Sequence, residues 1–118
     1  MAKHNETGAK GELLAAEILL QKGYAILQRN WRYGHKEVDI IAGNRDLAVF
    51  VEVKTRSSIR SGFPEEAISP RKIRLLQEAA LVFMEQHPEF QRMQFDVITF
   101  IIRDGRVQEM QHLVDVIF

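Results

Sequence analysis

The sequence predicts an α/β fold, with three α/β/α layers around a central mixed β-sheet and the element order αβββαβ, followed by one more short strand. Apolar residues recur at helical spacing in two segments, 9–22 and 70–86. Between them lie three runs rich in β-branched and aromatic residues, and another such run follows the second helix. This order predicts one helix on each face of the sheet.

The first helix is predicted over residues 9–22, where Leu13, Leu14 and Ile18 supply apolar positions and Gly23 is a stop signal. A strand over residues 24–31 follows. Glu12 falls in the first turn of the predicted helix, where a carboxylate is also explained by the helix dipole and by capping. Its function therefore stays open at this point.

The next two strands, 38–42 and 47–53, flank the turn residues 43–46 and predict a β-hairpin. The expected register pairs position 42 with 47 and 43 with 46. Glu37 would then lie opposite Glu52, and Asp39 would be the diagonal neighbour of Glu52. Because side chains alternate along a strand, Glu37, Asp39, Glu52 and Lys54 are predicted to share one face.

Carboxylates gathered in apolar strands repel one another and carry a desolvation cost. A hard divalent cation bound by carboxylate oxygens offsets both penalties. An edge hairpin with one solvated face is the alternative, because Asp, Glu and Lys are ordinary there. The intervening positions Val38, Ile40, Val49 and Val51 are apolar, which favours central strands covered on both faces.

A long polar segment, 55–69, follows the hairpin and is predicted either to close over a bound ligand or to be a connection without structure of its own. Ser69 and Pro70 then predict an N-cap and a first helical turn. That helix is expected to run to about residue 86, with strands over 94–102 and 107–110 after it. Asp96 lies inside an apolar strand, so we expect it to have a structural partner such as Arg92 or a helix end.

Composition limits the class of protein. The 118 residues, 46% of them hydrophobic, predict a single domain spanning 1–118. Cysteine is absent, which excludes disulfides and thiolate zinc sites, and the four histidines lack the spacing of a zinc-binding helix. The N-terminal residues lack a signal-peptide core and no run is long enough to span a membrane, so we expect a cytoplasmic protein without a membrane partner.

The net charge is zero, with 16 basic and 16 acidic residues, but the cations are unevenly distributed. Two segments flank the carboxylates: residues 29–36 hold three cations and two aromatic residues, and residues 54–74 hold six cations against two acidic residues. They predict contacts to a nucleic-acid backbone and to bases through Arg29, Trp31, Arg32, Tyr33, Lys36, Arg56, Arg60, Arg71 and Lys72. The alternatives are solvated surface charges and, for Trp31, a place in the core.

Asp39, twelve intervening residues and then Glu52-Val53-Lys54 resemble the bipartite motif of the PD-(D/E)xK nuclease superfamily, whose fold is restriction-endonuclease-like. Four blocks in order resemble the YraN family of small, largely uncharacterised bacterial proteins, over nearly the whole chain. These blocks are Gly8-x-x-Gly11-Glu12, residues 37–42, residues 49–56 and residues 95–97.

This resemblance implies a metal-dependent endonuclease with Asp39, Glu52 and Lys54 as catalytic residues. Mg²⁺, or Mn²⁺ in its place, would be held by Asp39, Glu52 and the carbonyl of Val53. Glu37 would be a second or an outer ligand, and Glu12 either an outer ligand or a group that orients metal-bound water. The implied substrate is DNA, with branched or junction DNA as a candidate because Holliday-junction resolvases belong to the same superfamily.

Two other functions remain open. One is a catalytically silent nucleic-acid-binding module on the same fold, and the other is an interaction protein whose hairpin face is exposed. The resemblance also implies that Gly8 and Gly11 allow close approach of the backbone to substrate or to a loop. Action on two DNA strands would favour a homodimer.

Overall fold

The computed structural model describes residues 2–57 and 69–116, and the side chains from residue 8 onward. Much of the polar segment 55–69, including Arg60, therefore lies outside the described residues. The described elements occur in the predicted order. They are α1 (Ala2–Gln21), β1 (Ala25–Tyr33), β2 (Lys36–Asn44), β3 (Leu47–Arg56), α2 (Pro70–Gln86), β4 (Arg92–Arg103) and β5 (Arg106–Leu113).

The described strands form one sheet in the order β1-β2-β3-β4-β5. The β3 and β4 strands are parallel and the other neighbours are antiparallel, so the predicted mixed sheet is confirmed. The parallel pair requires a crossover, which α2 supplies. Each helix covers one face of the sheet, and no helix within the described ranges is long and apolar enough to cross a lipid bilayer.

Two apolar layers fix the sheet between the helices. On the α1 side, Ala15 and Leu19 pack on Ile40, Val51 and Ile98. On the α2 side, the predicted apolar stripe of the helix is buried, with Leu76, Ala80 and Phe83 packing on Phe50 and Val38. Because both faces of β2 and β3 are covered, these are central strands, as the sequence predicts.

The start of α2 follows the predicted capping chemistry. The Ser69 hydroxyl accepts a 3.1 Å hydrogen bond from the Lys72 backbone N–H, and Pro70 occupies the first turn. This cap places Lys72 in the first turn of the helix, next to the carboxyl-terminal half of β3. By contrast, α1 begins earlier than predicted, at Ala2 instead of residue 9.

The hairpin register differs from the prediction by two residues. Ala42 pairs with Val49 and Asn44 with Leu47, so the turn is Arg45-Asp46. Arg45 adopts φ 58°, a left-handed conformation that the sequence favours at Gly43 or Asn44. Contacts outside the hairpin hold this turn, because the Asp46 carboxylate accepts hydrogen bonds of 3.0 and 2.8 Å from Arg92, at the start of β4.

Candidate active site

Asp39 lies at the end of the β2–β3 ladder. Regular pairing runs from Asn44 and Leu47 to Ile40 and Val51, so Asp39 and Glu52 occupy the next pair of opposed positions. The Val53 backbone N–H donates a 2.8 Å hydrogen bond to Oδ2 of Asp39. The carboxylate thus accepts a bond that a backbone carbonyl of β2 would take in a continued ladder.

The strand β2 also changes faces at Asp39. Val38 packs in the layer under α2, whereas Ile40 packs in the layer under α1. In a regular strand these two residues would share a face. Alternation then places Glu37 on the α1 side, whereas Glu52 follows Phe50 on the α2 side. The prediction that Glu37 and Glu52 share a face is therefore wrong.

The Glu52 carboxyl group is buried, with the residue 3% exposed. Its Oε1 has no hydrogen-bond partner among the described residues. Burial and the adjacent Asp39 carboxylate raise the pKa of Glu52 to about 7. Burial also raises the pKa of Asp39, so both members of the pair are held in a site that disfavours their charged forms.

Two lysines approach the other oxygen of Glu52. The Nζ atoms of Lys54 and Lys72 lie 3.9 and 3.7 Å from Oε2. Lys54 comes from the same strand and was predicted here. Lys72 comes from α2 and was predicted only as a nucleic-acid contact, because no sequence spacing relates a helix start to a strand across an unassigned segment.

Glu12 lies on α1 near the Asp39 end of the sheet. Partial burial and the Asp39 carboxylate raise its pKa, whereas a hydrogen bond from the Asn30 side-chain amide and the charge of Arg29 oppose the rise. The structure thus places Glu12 beside Asp39, where the resemblance implies an outer ligand. A Cβ atom at Gly11 would overlap the Thr55 side chain, so Gly11 permits the close approach of α1 to β3.

Gly8 does not share this feature, since a Cβ atom there would meet no described atom within 4 Å. The approach expected of both glycines is thus found at Gly11 alone, among the atoms the structure describes. Gly11 directly precedes Glu12, so the same contact holds Glu12 next to the ladder end.

The carboxylate oxygens of Asp39 and Glu52 suit a hard divalent cation that takes only a few of its ligands from the protein. Within the described ranges, no three His, Asp or Glu side chains converge closely enough to hold a metal ion. Among the described residues, Asp39 raises the pKa of Glu52, and Glu12 and Glu37 lie near enough to Asp39 to interact with its charge. Mg²⁺ is commonly bound through one or two carboxylates and several waters, so a close pair is sufficient for it.

The predicted nucleic-acid contacts are spread around this pair. Arg29, Arg32, Tyr33 and Arg71 are exposed, and Arg56 is half-buried at the end of β3. Several of these side chains already contact other residues. Arg32 lies 3.6 Å from Glu37, Lys36 lies 3.7 Å from Glu78, and the half-buried Trp31 packs edge-on against Phe83 with ring centroids 5.7 Å apart.

Sequence reasoning missed a second buried polar cluster. Asp96 is fully buried, and its Oδ2 lies 2.7 Å from Nε2 of His112. The Gln94 amide and the Asp115 backbone N–H donate to its Oδ1 at 3.0 and 2.9 Å. The structural role expected for Asp96 fits these contacts, but its partner is His112, because Arg92 pairs with Asp46.

The family model and the relatives described next carry no assigned activity in their names. The model of a family described as "Uncharacterised protein family UPF0102" matches residues 11–100. A UPF0102 protein from Syntrophomonas wolfei is 42% identical over 95% of this chain and 97% of its own length. A UPF0102 protein from Flavobacterium johnsoniae is 41% identical over 100% of this chain and 98% of its own length. A UPF0102 protein from Rhodococcus opacus is 42% identical over 98% of this chain and 98% of its own length.

Proposed function

Because the chain belongs to the family UPF0102, known also as the YraN family, whose description names no activity, we propose a function from its own residues: a divalent-metal-dependent endonuclease that hydrolyses phosphodiester bonds in DNA. The observation that carries the proposal is the pair formed by the buried carboxyl group of Glu52 and the half-buried carboxyl group of Asp39, which lies near enough to raise the pKa of Glu52. One oxygen of this pair, Oε1 of Glu52, has no donor among the described residues. A buried acceptor without a partner is costly, and a bound cation would satisfy it.

The residues present fit Mg²⁺, with Mn²⁺ as a substitute. Asp39 and Glu52 would hold the ion through carboxylate oxygens. The Val53 carbonyl would be a further ligand, since the N–H and C=O of a strand residue point toward the same neighbouring strand and the Val53 N–H points to Asp39. When bound, such an ion polarises a phosphodiester and makes water a better nucleophile.

Positively charged side chains near the two carboxylates would supply the charge that binding of a phosphate requires. The ammonium of Lys54, near the carboxylate pair, would stabilise charge that develops on the phosphoryl oxygens and would orient the attacking water. The exposed arginines Arg29, Arg32 and Arg71 would contact neighbouring phosphates of the same strand. Glu12 and Glu37 would act through Asp39, as outer groups that orient water around the ion.

Burial favours this function over an interaction surface. An interaction protein would use the hairpin face as a contact, but Glu52 is 3% exposed and lies beneath α2. A catalytically silent nucleic-acid-binding module is the second candidate, supported by the same exposed arginines. Against it, two neighbouring carboxyl groups in apolar strands carry a desolvation cost that nucleic-acid binding alone does not require.

Cleavage assays separate the two candidates. Labelled duplex, single-stranded, flap and four-way-junction DNA, and a matched RNA duplex, would be incubated with Mg²⁺ or Mn²⁺. The wild type would be compared with Asp39→Asn, Glu52→Gln and Lys54→Met, which keep side-chain size while removing charge. Glu109→Gln on the exposed strand β5 serves as the charge-matched control.

We expect the wild type and the control to cleave at least one DNA substrate, most readily a branched one, and the three site variants to be inactive. DNA binding without cleavage by the wild type in either metal would instead support the silent module. Sedimentation with and without junction DNA would show whether the active form is a homodimer.

A further inference from the structure

Asn30 has an unusual backbone for the interior of a β-strand. Its φ is 52°, in the left-handed region, although it lies in the middle of β1. Asn tolerates this conformation better than most residues, but it still costs energy relative to an extended strand. Such strain persists where the surrounding structure requires it, often beside a functional site.

The consequence of this conformation is a change of face along β1. Arg29 pairs with Ile40, which packs under α1, whereas Trp31 pairs with Val38, which packs under α2. Residues two apart in a regular strand share a face, so Asn30 reverses the alternation. Because β1 and β2 stay paired on both sides of it, β2 has to make the same change directly opposite.

The residue opposite Asn30 is Asp39. The paired positions on either side, Arg29 with Ile40 and Trp31 with Val38, leave Asn30 and Asp39 between them. Asp39 has no left-handed φ of its own and follows the turn that Asn30 sets. This turn directs the Asp39 carboxylate along the sheet to the Val53 N–H.

The side chain of Asn30 also lies near the acidic residues of the site. Its amide lies near enough to the Glu12 carboxylate to lower the pKa of that group, which α1 brings beside Asp39. Asn30 thus contacts one acidic residue through its side chain and determines the direction of another through its backbone. Neither the sequence motif nor the family description assigns it a role.

We propose that Asn30 is the positioning residue of the metal site, which turns Asp39 toward Glu52 through its left-handed backbone and holds Glu12 beside Asp39 through its amide. This inference rests on the proposed metal site and extends it to a residue outside the motif. Asn30 acts on the ion through Asp39 and Glu12 and is not itself a ligand. Its two contributions can be separated by substitution, because glycine keeps the backbone and loses the amide.

Metal affinity is the readout that separates positioning from ordinary structural support. Mn²⁺ binding would be measured by titration calorimetry in the absence of DNA, and stability by thermal unfolding in a chelator. Asn30→Gly should unfold near the wild-type temperature and bind Mn²⁺ about 10-fold more weakly, the usual effect of losing an outer contact. Asn30→Val disfavours the left-handed backbone as well, so it should lose more affinity and also unfold earlier.

The matched control is Asp104→Gly. Asp104 also has φ 52°, in the exposed turn between β4 and β5, so this change replaces a left-handed residue by glycine away from the site. Mn²⁺ affinity should be unchanged in this variant. A second test combines Asn30→Gly with Glu12→Gln, because the amide can matter only through the Glu12 carboxylate if the inference is correct.

In the Glu12→Gln background, Asn30→Gly should cause no further loss of Mn²⁺ affinity. Equal Mn²⁺ affinities of Asn30→Gly, Glu12→Gln and wild type would overturn the inference while leaving the metal site intact. Additive losses in the double variant would also overturn the route through Glu12. A wild type that binds no Mn²⁺ would remove the proposed function itself, and the role of Asn30 with it.

Discussion

The backbone N–H of Val53 donates a 2.8 Å hydrogen bond to the carboxylate of Asp39, at the point where the β2–β3 ladder ends. This one bond links the two halves of the bipartite motif. It holds Asp39 against β3, next to the residue that precedes Val53, namely the buried Glu52. The two carboxyl groups are therefore brought near each other by the backbone itself.

Glu52→Gln should stabilise the metal-free protein. The substitution keeps the shape of the side chain and removes a charge that is buried beside Asp39. We expect the free energy of unfolding in a chelator at about pH 8 to rise by about 1 kcal/mol. Urea denaturation measures this change, and the exposed Glu109→Gln should leave the free energy unchanged.

Addition of Mn²⁺ should reverse that order. The wild type gains stability from a bound ion, whereas Glu52→Gln lacks a carboxylate ligand and should gain little. A wild type that is already more stable than Glu52→Gln in the chelator would contradict the account of Glu52 as a destabilising buried charge.

The stability of the metal-free protein should depend on pH near neutrality. The pKa of Glu52 is raised to about 7 in the folded protein, mainly by burial and then by Asp39, from 4.5 in the unfolded chain. The folded state therefore binds the proton more tightly, so the contribution of Glu52 to stability is fully present below its unfolded value of 4.5 and is lost as the pH rises through about 7. Urea denaturation between about pH 6 and 8 should show this decline.

The same series on Glu52→Gln identifies the group responsible. Its free energy of unfolding should be nearly flat over this pH range, because the titrating carboxyl group is gone. An equal decline in both proteins would assign the effect to another group, such as one of the histidines.

The fold was predictable because its signals are local. Ser69 and Pro70 predict the start of α2, and the apolar runs predict central strands. The order of the elements and the type of sheet therefore follow from the sequence. The register of the hairpin was predicted wrongly because Asp46 is held by Arg92, which is distant in sequence. A shift of two residues keeps each side chain on its face, so the convergence of Asp39 and Glu52 could be predicted despite the error.

The parts of the site that sequence reasoning missed depend on backbone conformation or on contacts between distant elements. The residue types around Asn30 do not indicate a left-handed backbone inside a strand. The change of face that places Glu37 and Glu52 on opposite sides of the sheet could therefore not be predicted. Lys72 lies near Glu52 because the crossover from β3 to β4 places the start of α2 over the sheet. The Asp96–His112 pair was missed because its two residues lie on different strands.

Lys72→Met should weaken DNA binding without weakening metal binding. The Lys72 ammonium lies 3.7 Å from Glu52, where it adds positive charge for a phosphate but repels a divalent ion. We expect the slope of log K for DNA against log salt to fall in magnitude by about 1. Fluorescence anisotropy in Ca²⁺ measures the slope, and calorimetry with Mn²⁺ measures the metal affinity.

Arg74→Gln is the control for this prediction, since Arg74 is exposed on the same helix and the charge change is equal. The salt slope should change less in Arg74→Gln than in Lys72→Met. A clear loss of Mn²⁺ affinity in Lys72→Met would show instead that Lys72 supports the carboxylate geometry and does not serve the substrate.

His112→Ala should destabilise the protein without affecting the metal site. Asp96 is fully buried and His112 nearly so, with Nε2 of the ring 2.7 Å from Oδ2 of Asp96. Removing the ring leaves that oxygen without its partner, which should lower the free energy of unfolding by about 3 kcal/mol. His35→Ala removes an exposed ring from the β1–β2 turn and should change stability by less than about 0.5 kcal/mol.

The location of the Asp96–His112 pair determines the second half of this prediction. His112 lies on β5, and its Nδ1 is 2.6 Å from the ammonium of Lys22, just beyond the end of α1. Glu12 lies in the middle of α1, and Asp39 lies on β2, across β3 from the strands that carry Asp96 and His112. Mn²⁺ affinity of His112→Ala should therefore match that of the wild type at a temperature where both are folded. A loss of Mn²⁺ affinity there would mean that the two polar clusters are coupled through α1, and the metal site would then depend on a contact that none of the motif residues makes.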